Sequence, residues 1–214
     1  MAILHRATLT PTKLELVLPW LDHQPWGGAG EPELIGSYRF DDPEGEVGVE
    51  ALLIRRGDAV LHVPLTYRAA PIEGADEHLI GTLHHSVLGE RWVYEAAGDP
   101  VGRGCYARAL AGQQEQAVFE VYDGDAMVEV RDPTIRLALE SDPADDPDVR
   151  LANVVGDITG AQRLVARWDG GSGVVAAAGP AAAYVHTTSP IGLTVDVTNV
   201  AEALEALDEP EART

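Results

Sequence analysis

The sequence predicts an α+β protein built on a curved antiparallel sheet with a few flanking helices. Three observations carry this expectation. Short apolar-rich runs of strand length recur along the chain, bounded by Gly- and Pro-containing turns. Segments with helical spacing are few and irregularly placed. The βαβα alternation of a doubly wound parallel sheet is absent.

The elements follow in order. Thr10-Pro11 reads as a helix start, with Thr10 as N-cap and the proline at the first helical position. Leu14, Val17, Leu18 and Leu21 then repeat at helical spacing until Pro19 ends or kinks the segment. GGAGEP is a loop, and GSYRF (36–40) is a strand. The runs containing Val47, Val49, Ala51, Leu53 and Val60, Leu61, Val63, Leu65 flank the turn RRGD (55–58), which predicts a hairpin. Residues 79–86 and 90–96 predict a second hairpin around Leu88-Gly89. The stretch GCYARALAGQQEQAVF reads as a helix weakened by glycines at 102, 104 and 112, with Asp99-Pro100 starting it. Beyond it, VFEVYDGDAMVEV and RLVARWDGGSGVVAAAG predict two more hairpins, and TIRLALE and LTVDVTN single strands. SDPADDPD (141–148) reads as a connector. Asn199 is expected to cap a last short helix, VAEALEALDE, through an Asn-x-x-Glu box.

Composition excludes several functions. The 214 residues suffice for one large or two small domains. The net charge of −20, from 35 acidic and 15 basic residues, disfavours nucleic acid and anionic membrane surfaces, both of which draw on Lys and Arg. No apolar run approaches the ~18 residues of a membrane span. The N-terminus turns polar too early for a signal peptide, so a cytoplasmic location is expected. The one cysteine, Cys105, excludes an intramolecular disulfide and a cysteine metal cluster, and it reads as a buried structural thiol. Lys13 is the only lysine, and it lies at a predicted helix start. Kinases of the protein-kinase-like fold hold nucleotide phosphates with a strand lysine, and no second lysine serves that role.

The remaining motifs point to structure more than to chemistry. His84 and His85 are adjacent, so on a strand they face opposite ways. His78 would stand about 20 Å from His84 along a straight strand, too far for a shared metal. No metal, cofactor or catalytic residue is therefore assigned. One of these histidines, His84, is retained as a ligand-contact candidate. No Gly-x-Ser-x-Gly elbow and no phosphate-cradling Gly-x-x-x-x-Gly-Lys motif occurs. Carboxylates are too plentiful for any one pair to be informative. Trp20, Trp26, Trp92 and Trp168 are expected to serve mainly the core, with Trp26 the exception because it abuts a glycine loop.

Three segments together, LPWLDHQPW, VPLTYRAAP and LIGTLHHSVLGERWVYEAAGDPV, resemble the N-terminal cap domain of bacterial maltokinases and related aminosugar kinases. The matching positions are Trp20, Leu21, Gln24 and Trp26, then Tyr67 and Arg68, then Ile80 and Gly81, then the run Trp92 to Glu95, and finally Asp99 and Pro100. The resemblance covers residues 1–105 and implies a cystatin-like cap fold. Residues 106–214 form a β-rich segment, either a second small domain or a completion of the first sheet. The chain departs from the kinases in lacking a His-Gly-Asp-like catalytic loop and an Asp-Phe-Glu-like metal motif. The resemblance thus implies a non-catalytic, cap-like accessory or regulatory protein of maltose, trehalose or α-glucan metabolism, docking on a sugar kinase or α-glucan enzyme. The rival is a protein that binds a sugar or sugar phosphate, with Trp26, Tyr67, Arg68, His84 and Trp92 as candidate contacts. A third reading is a transferase or hydrolase with an unrecognised site. A pocket of several hundred Å³ with converging polar groups favours the ligand; a flat exposed apolar patch favours docking.

Overall fold

Alternating apolar residues and two-residue turns do build an antiparallel sheet, and it is larger than any single motif shows. The computed structural model describes residues 2–5, 7–123, 126–143, 145, 147–179, 185–188 and 194–197. The first half holds β1 (Ala2–His5), β2 (Leu9–Thr10), α1 (Lys13–Leu21), β3 (Pro32–Phe40), β4 (Gly48–Arg56), β5 (Ala59–Arg68), a 3-10 turn (Asp76–His78), β6 (Leu79–His85), β7 (Gly89–Glu95) and α2 (Pro100–Leu110). There follow β8 (Phe119–Asp123), β9 (Ala126–Arg131), β10 (Arg136–Leu139), β11 (Arg150–Leu151), β12 (Gln162–Trp168), β13 (Gly171–Ala178), β14 (Val185–Thr188) and β15 (Thr194–Val197).

Six strands form one antiparallel sheet in the order β2-β6-β7-β5-β4-β3. A four-stranded antiparallel sheet has the order β10-β12-β13-β11, and β14 pairs with β15. In the three-stranded sheet β1-β8-β9, β1 and β8 run parallel, which the sequence pattern does not anticipate. The α+β expectation thus stands in its coarse form: the chain is mostly strand, with a curled antiparallel sheet and two α-helices among the described residues.

The β4–β5 hairpin closes on Gly57-Asp58, with Arg56 opposite Ala59. Gly57 adopts φ +59°, the left-handed region that a tight hairpin turn requires. Val49 to Ile54 are all buried, so β4 is covered on both faces. Leu52 and Ile54, with Leu61, Val63 and Leu65 of β5, pack against Val17 and Leu21 of α1. Val49, Ala51 and Leu53 face the other way, onto Tyr106 and Leu110 of α2 and Leu164, Ala166 and Val175 of the four-stranded sheet. The continuous apolar run Ala51 to Ile54 is the sequence signature of this two-sided burial. The four-stranded sheet therefore packs on the first sheet as a second layer that shares its core. Backbone bonds tie the layers where the His62 N–H donates to Asn153 O at 2.8 Å and the Val155 N–H to Val60 O at 2.8 Å.

The helix boundaries differ from expectation. Thr10 ends β2, and the N-cap of α1 is Thr12. Its hydroxyl accepts from the Glu15 N–H at 3.3 Å, while the Glu15 carboxylate accepts from the Thr12 N–H at 2.8 Å. This Thr-x-x-Glu capping box outcompetes the Thr-Pro signal because it satisfies two orphan N–H groups reciprocally. Thr12→Ala is expected to lower stability by about 1 kcal/mol, read by urea denaturation. At α2 the expected cap holds: Asp99 caps and Pro100 opens the helix. The helix stops at Leu110, well short of Phe119. Gly112 takes φ +66° and the Gln113 N–H bonds to Arg108 O, which closes the helix end and releases 113–118 as irregular chain. Gly102 is buried inside α2, because a Cβ there would meet Ala96 O at 2.7 Å. The helix lies closer to Ala96, just past the end of β7, than alanine would permit. The helix expected after Asn199 lies outside the described residues.

Candidate functional site

On the α1 face of the six-stranded sheet, beyond the N-terminal end of α1, lies a pocket of about 530 Å³. Residues from β2 to β3 reach it, from Leu9 at one edge to Arg39 at the other. Leu83, Val47 and Phe40 supply apolar wall. The polar lining divides into cations Lys13, Arg39 and Arg91 and carboxylates Asp41, Asp42, Glu46 and Glu50, with the Tyr67 ring between.

The β register gathers the central groups. Arg39 stands opposite Glu50, and Gly48 opposite Tyr67. Lys13 occupies the first turn of α1, where the helix dipole disfavours a cation. It is held there by Glu50, to which its ammonium donates at 2.5 Å. Burial alone would raise the Glu50 carboxyl, but Lys13 and then Arg39 outweigh it and hold the group below its ordinary value. Burial first, and the Glu50 carboxylate second, push the Tyr67 hydroxyl well above its ordinary range, so it stays protonated. Lys13 Nζ stands 5.9 Å from the Tyr67 ring centroid.

Three buried donors in this lining lack a hydrogen-bond partner among the described residues: Arg39 Nε, Tyr67 Oη and Arg91 Nε. Tyr67 Oη lies in the field of Glu50 without normal hydrogen-bond geometry to it. Arg91 uses Nη2 on Leu88 O at 2.7 Å. Buried polar groups are rarely left unpaired, so three in one cavity mark it out. Asp42 is spent on its own loop, accepting from the N–H groups of Glu44, Glu46 and Val47.

Of the five ligand candidates read from the sequence, Tyr67 lines this pocket. Trp26 packs edge-on to Trp20 at 5.5 Å beside the core under α1. Arg68 faces α2 and holds Asp99 through both Nε and Nη2 at 2.7 Å. Trp92, opposite Arg68 in the register, is half-buried. His84 is exposed, while its neighbour His85 lines the pocket. His85 Nδ1 accepts from the N–H groups of Val87 and Leu88, closing the β6–β7 turn. His78 packs on Gly98, where a Cβ would fall 2.1 Å from its ring, and its Nδ1 stands 3.4 Å from Glu95.

Sequence reasoning missed Arg39, Gly48, Glu50 and Arg91. A signal for two of them exists in EVGVE, where a glycine interrupts a strand pattern ahead of an acid at an inward position. Elsewhere, Cys105 is buried, and burial pushes its thiol up, which leaves it protonated beside Arg108. Among the described residues no group of three or more His, Cys, Asp or Glu side chains is placed to hold a metal ion. No helix among them is long and apolar enough to cross a membrane.

Residues 20–99 match the family model of the maltokinase N-terminal cap domain. The match runs from the last turn of α1 through β7 to the N-cap of α2, the segment whose motifs carried the resemblance. It includes Arg39, Gly48, Glu50, Tyr67 and Arg91 of the pocket, while Lys13 precedes it. No curated protein and no solved structure matches the chain.

Proposed function

We propose that this chain is a non-catalytic accessory protein of maltose, trehalose or α-glucan metabolism that binds a sugar or sugar phosphate in the pocket beside α1. In this reading α1 and the sheet beneath it are the cystatin-like cap. The observation that carries the proposal is the set of buried donors Arg39 Nε, Tyr67 Oη and Arg91 Nε, without partners among the described residues, in one cavity of about 530 Å³. That volume lies within the range of small-molecule sites, and a polyol or phosphate supplies the acceptors the donors lack. The non-catalytic part is supported by Lys13, which is the only lysine and sits in the first turn of α1 where the kinases use a strand lysine.

Docking on a sugar kinase or α-glucan enzyme is the second reading. It is favoured by Met127, Val128 and Val130 on β9, which are 54%, 47% and 57% exposed at the edge of a three-stranded sheet. Isothermal titration of the purified chain with maltose, glucose and glucose 1-phosphate separates the two. Binding of at least one, lost on filling the pocket with Gly48→Leu, is the expected result. Silence from all three, with retention of the chain by a sugar kinase through β9, would replace ligand binding by docking.

A further inference from the structure

We infer that the Arg39–Gly48–Tyr67 corner of this pocket is an oxyanion subsite, built to take the phosphate of a phosphorylated sugar. The inference rests on the ligand-binding reading above and names the charge and class of the ligand.

An unpaired guanidinium donor comes first. The lining holds the cations Lys13, Arg39 and Arg91 and the carboxylates Asp41, Asp42, Glu46 and Glu50, and the β register sets Arg39 beside the Lys13–Glu50 pair. Arg39 Nε has no hydrogen-bond partner among the described residues, and the Arg39 charge bears on Glu50, a carboxylate that the Lys13 ammonium already engages. A buried donor left without an acceptor is costly, and a phosphate oxygen supplies one. Asp42 is engaged by three backbone N–H groups.

Shape is the second argument. A Cβ at Gly48 would sit 3.5 Å from Arg39 Nη2 and 3.5 Å from Tyr67 Cβ and Cδ2. The glycine therefore leaves a bare backbone floor with the guanidinium on one side and the phenol ring on the other. A planar guanidinium fork is suited to two oxygens of a phosphate, and the Tyr67 O–H is a further donor. A neutral sugar hydroxyl could accept from Arg39 Nε, but a phosphate oxygen makes the stronger, charge-assisted bond.

The overall charge of −20 sharpens the point, since long-range attraction of anions is ruled out and any anion bound must be held by local contacts.

The test compares one sugar with and without its phosphate. Glucose and glucose 1-phosphate are titrated calorimetrically into the wild-type chain, Arg39→Gln and Gly48→Leu, with thermal melts to confirm folding. Glucose 1-phosphate should bind the wild type more tightly than glucose. Arg39→Gln should weaken the phosphorylated ligand roughly 10- to 100-fold, the worth of a charge-assisted hydrogen bond, and leave glucose within about twofold. Gly48→Leu should abolish both. Equal affinity for the two ligands, unchanged by Arg39→Gln, overturns the oxyanion subsite and keeps the sugar pocket. Absence of binding by either ligand to the folded wild type overturns both. Should Arg39→Gln not fold, Arg39→Lys carries the same comparison, with an intermediate loss for the phosphate expected and no loss counting against the subsite.

Discussion

Asp99→Ala should destabilise the chain by roughly 3 to 5 kcal/mol, the range for breaking a buried ion pair from one side. Asp99 is fully buried and accepts four hydrogen bonds. Thr66 Oγ1 donates at 2.7 Å, Arg68 Nε and Nη2 each at 2.7 Å, and the Val101 N–H at 2.8 Å. One carboxylate thus caps α2, satisfies a buried threonine on β5 and neutralises a bidentate arginine. Alanine removes all three services and leaves the Arg68 guanidinium, only 25% exposed, without its counter-charge. That residual exposure places the loss toward the lower end of the range. Asp99→Asn should lose less than Asp99→Ala because it keeps a cap acceptor, but it surrenders the charge and turns an NH2 onto donors at the other oxygen, where Thr66 and Arg68 Nε now bond. Burial by itself would raise the Asp99 carboxyl, but the bonds from Arg68, Thr66 and Val101 outweigh it and set the group below its ordinary value. Its contribution is therefore present at neutral pH and is lost as pH falls through the native value. Urea denaturation at pH 7 reads the difference. A loss under 1 kcal/mol for Asp99→Ala would show that the cluster is dispensable.

This cluster also shows what the sequence could and could not disclose. Asp99-Pro100 was legible as a helix start because cap chemistry is local. The hairpins β4–β5, β6–β7 and β12–β13 were legible for the same reason: each closes on a short glycine turn between apolar runs. Arg68 was legible as a noteworthy residue, but not as the partner of Asp99, which lies 31 positions away. The pocket was less legible still. Its corner depends on β3, β4 and β5 pairing so that Arg39 meets Glu50 and Gly48 meets Tyr67. A register slip of one residue would turn each of these side chains to the other face, and no local pattern fixes that choice. Tyr67 was found through resemblance, whereas Arg39 and Gly48 read alone as a strand arginine and a strand glycine. The exchange of His84 for His85 at the pocket follows from the same alternation, since only one of two adjacent strand residues can face α1.

Below neutral pH the native state should weaken through His62, a residue that no motif marks. His62 sits fully buried on β5, with partners 24, 44 and 90 positions away. Nδ1 lies 2.8 Å from Ala152 O, and since a carbonyl can only accept, the ring proton is on Nδ1. Nε2 is then the acceptor, taking the Tyr38 hydroxyl at 2.6 Å, while Tyr106 donates to Tyr38 at 2.7 Å. All the polar groups are satisfied with the imidazole neutral. A second ring proton would bring a charge into the core between two aromatic rings, and burial holds the His62 pKa down to about 4, with the Ala152 carbonyl opposing in part. The unfolded chain keeps the ordinary histidine value of about 6.5. Between these two values the unfolded state binds a proton that the native state refuses, so stability is complete above about pH 6.5 and falls as the pH drops toward 4. The whole window is worth roughly 3 kcal/mol, and the part between pH 7 and pH 5 about 2 kcal/mol. His62→Phe keeps the ring volume, costs stability at pH 7 by stranding the Tyr38 hydroxyl and the Ala152 carbonyl, and removes the titration. Urea midpoints at pH 7 and pH 5 should therefore lie closer together for His62→Phe than for the wild type, by about that 2 kcal/mol. Parallel slopes for the two proteins would mean that His62 takes its proton in the folded core. The second proton goes to Nε2, so the acid-sensitive bond is the one that the Tyr38 hydroxyl donates to His62, while the bond to the Ala152 carbonyl favours the charged ring.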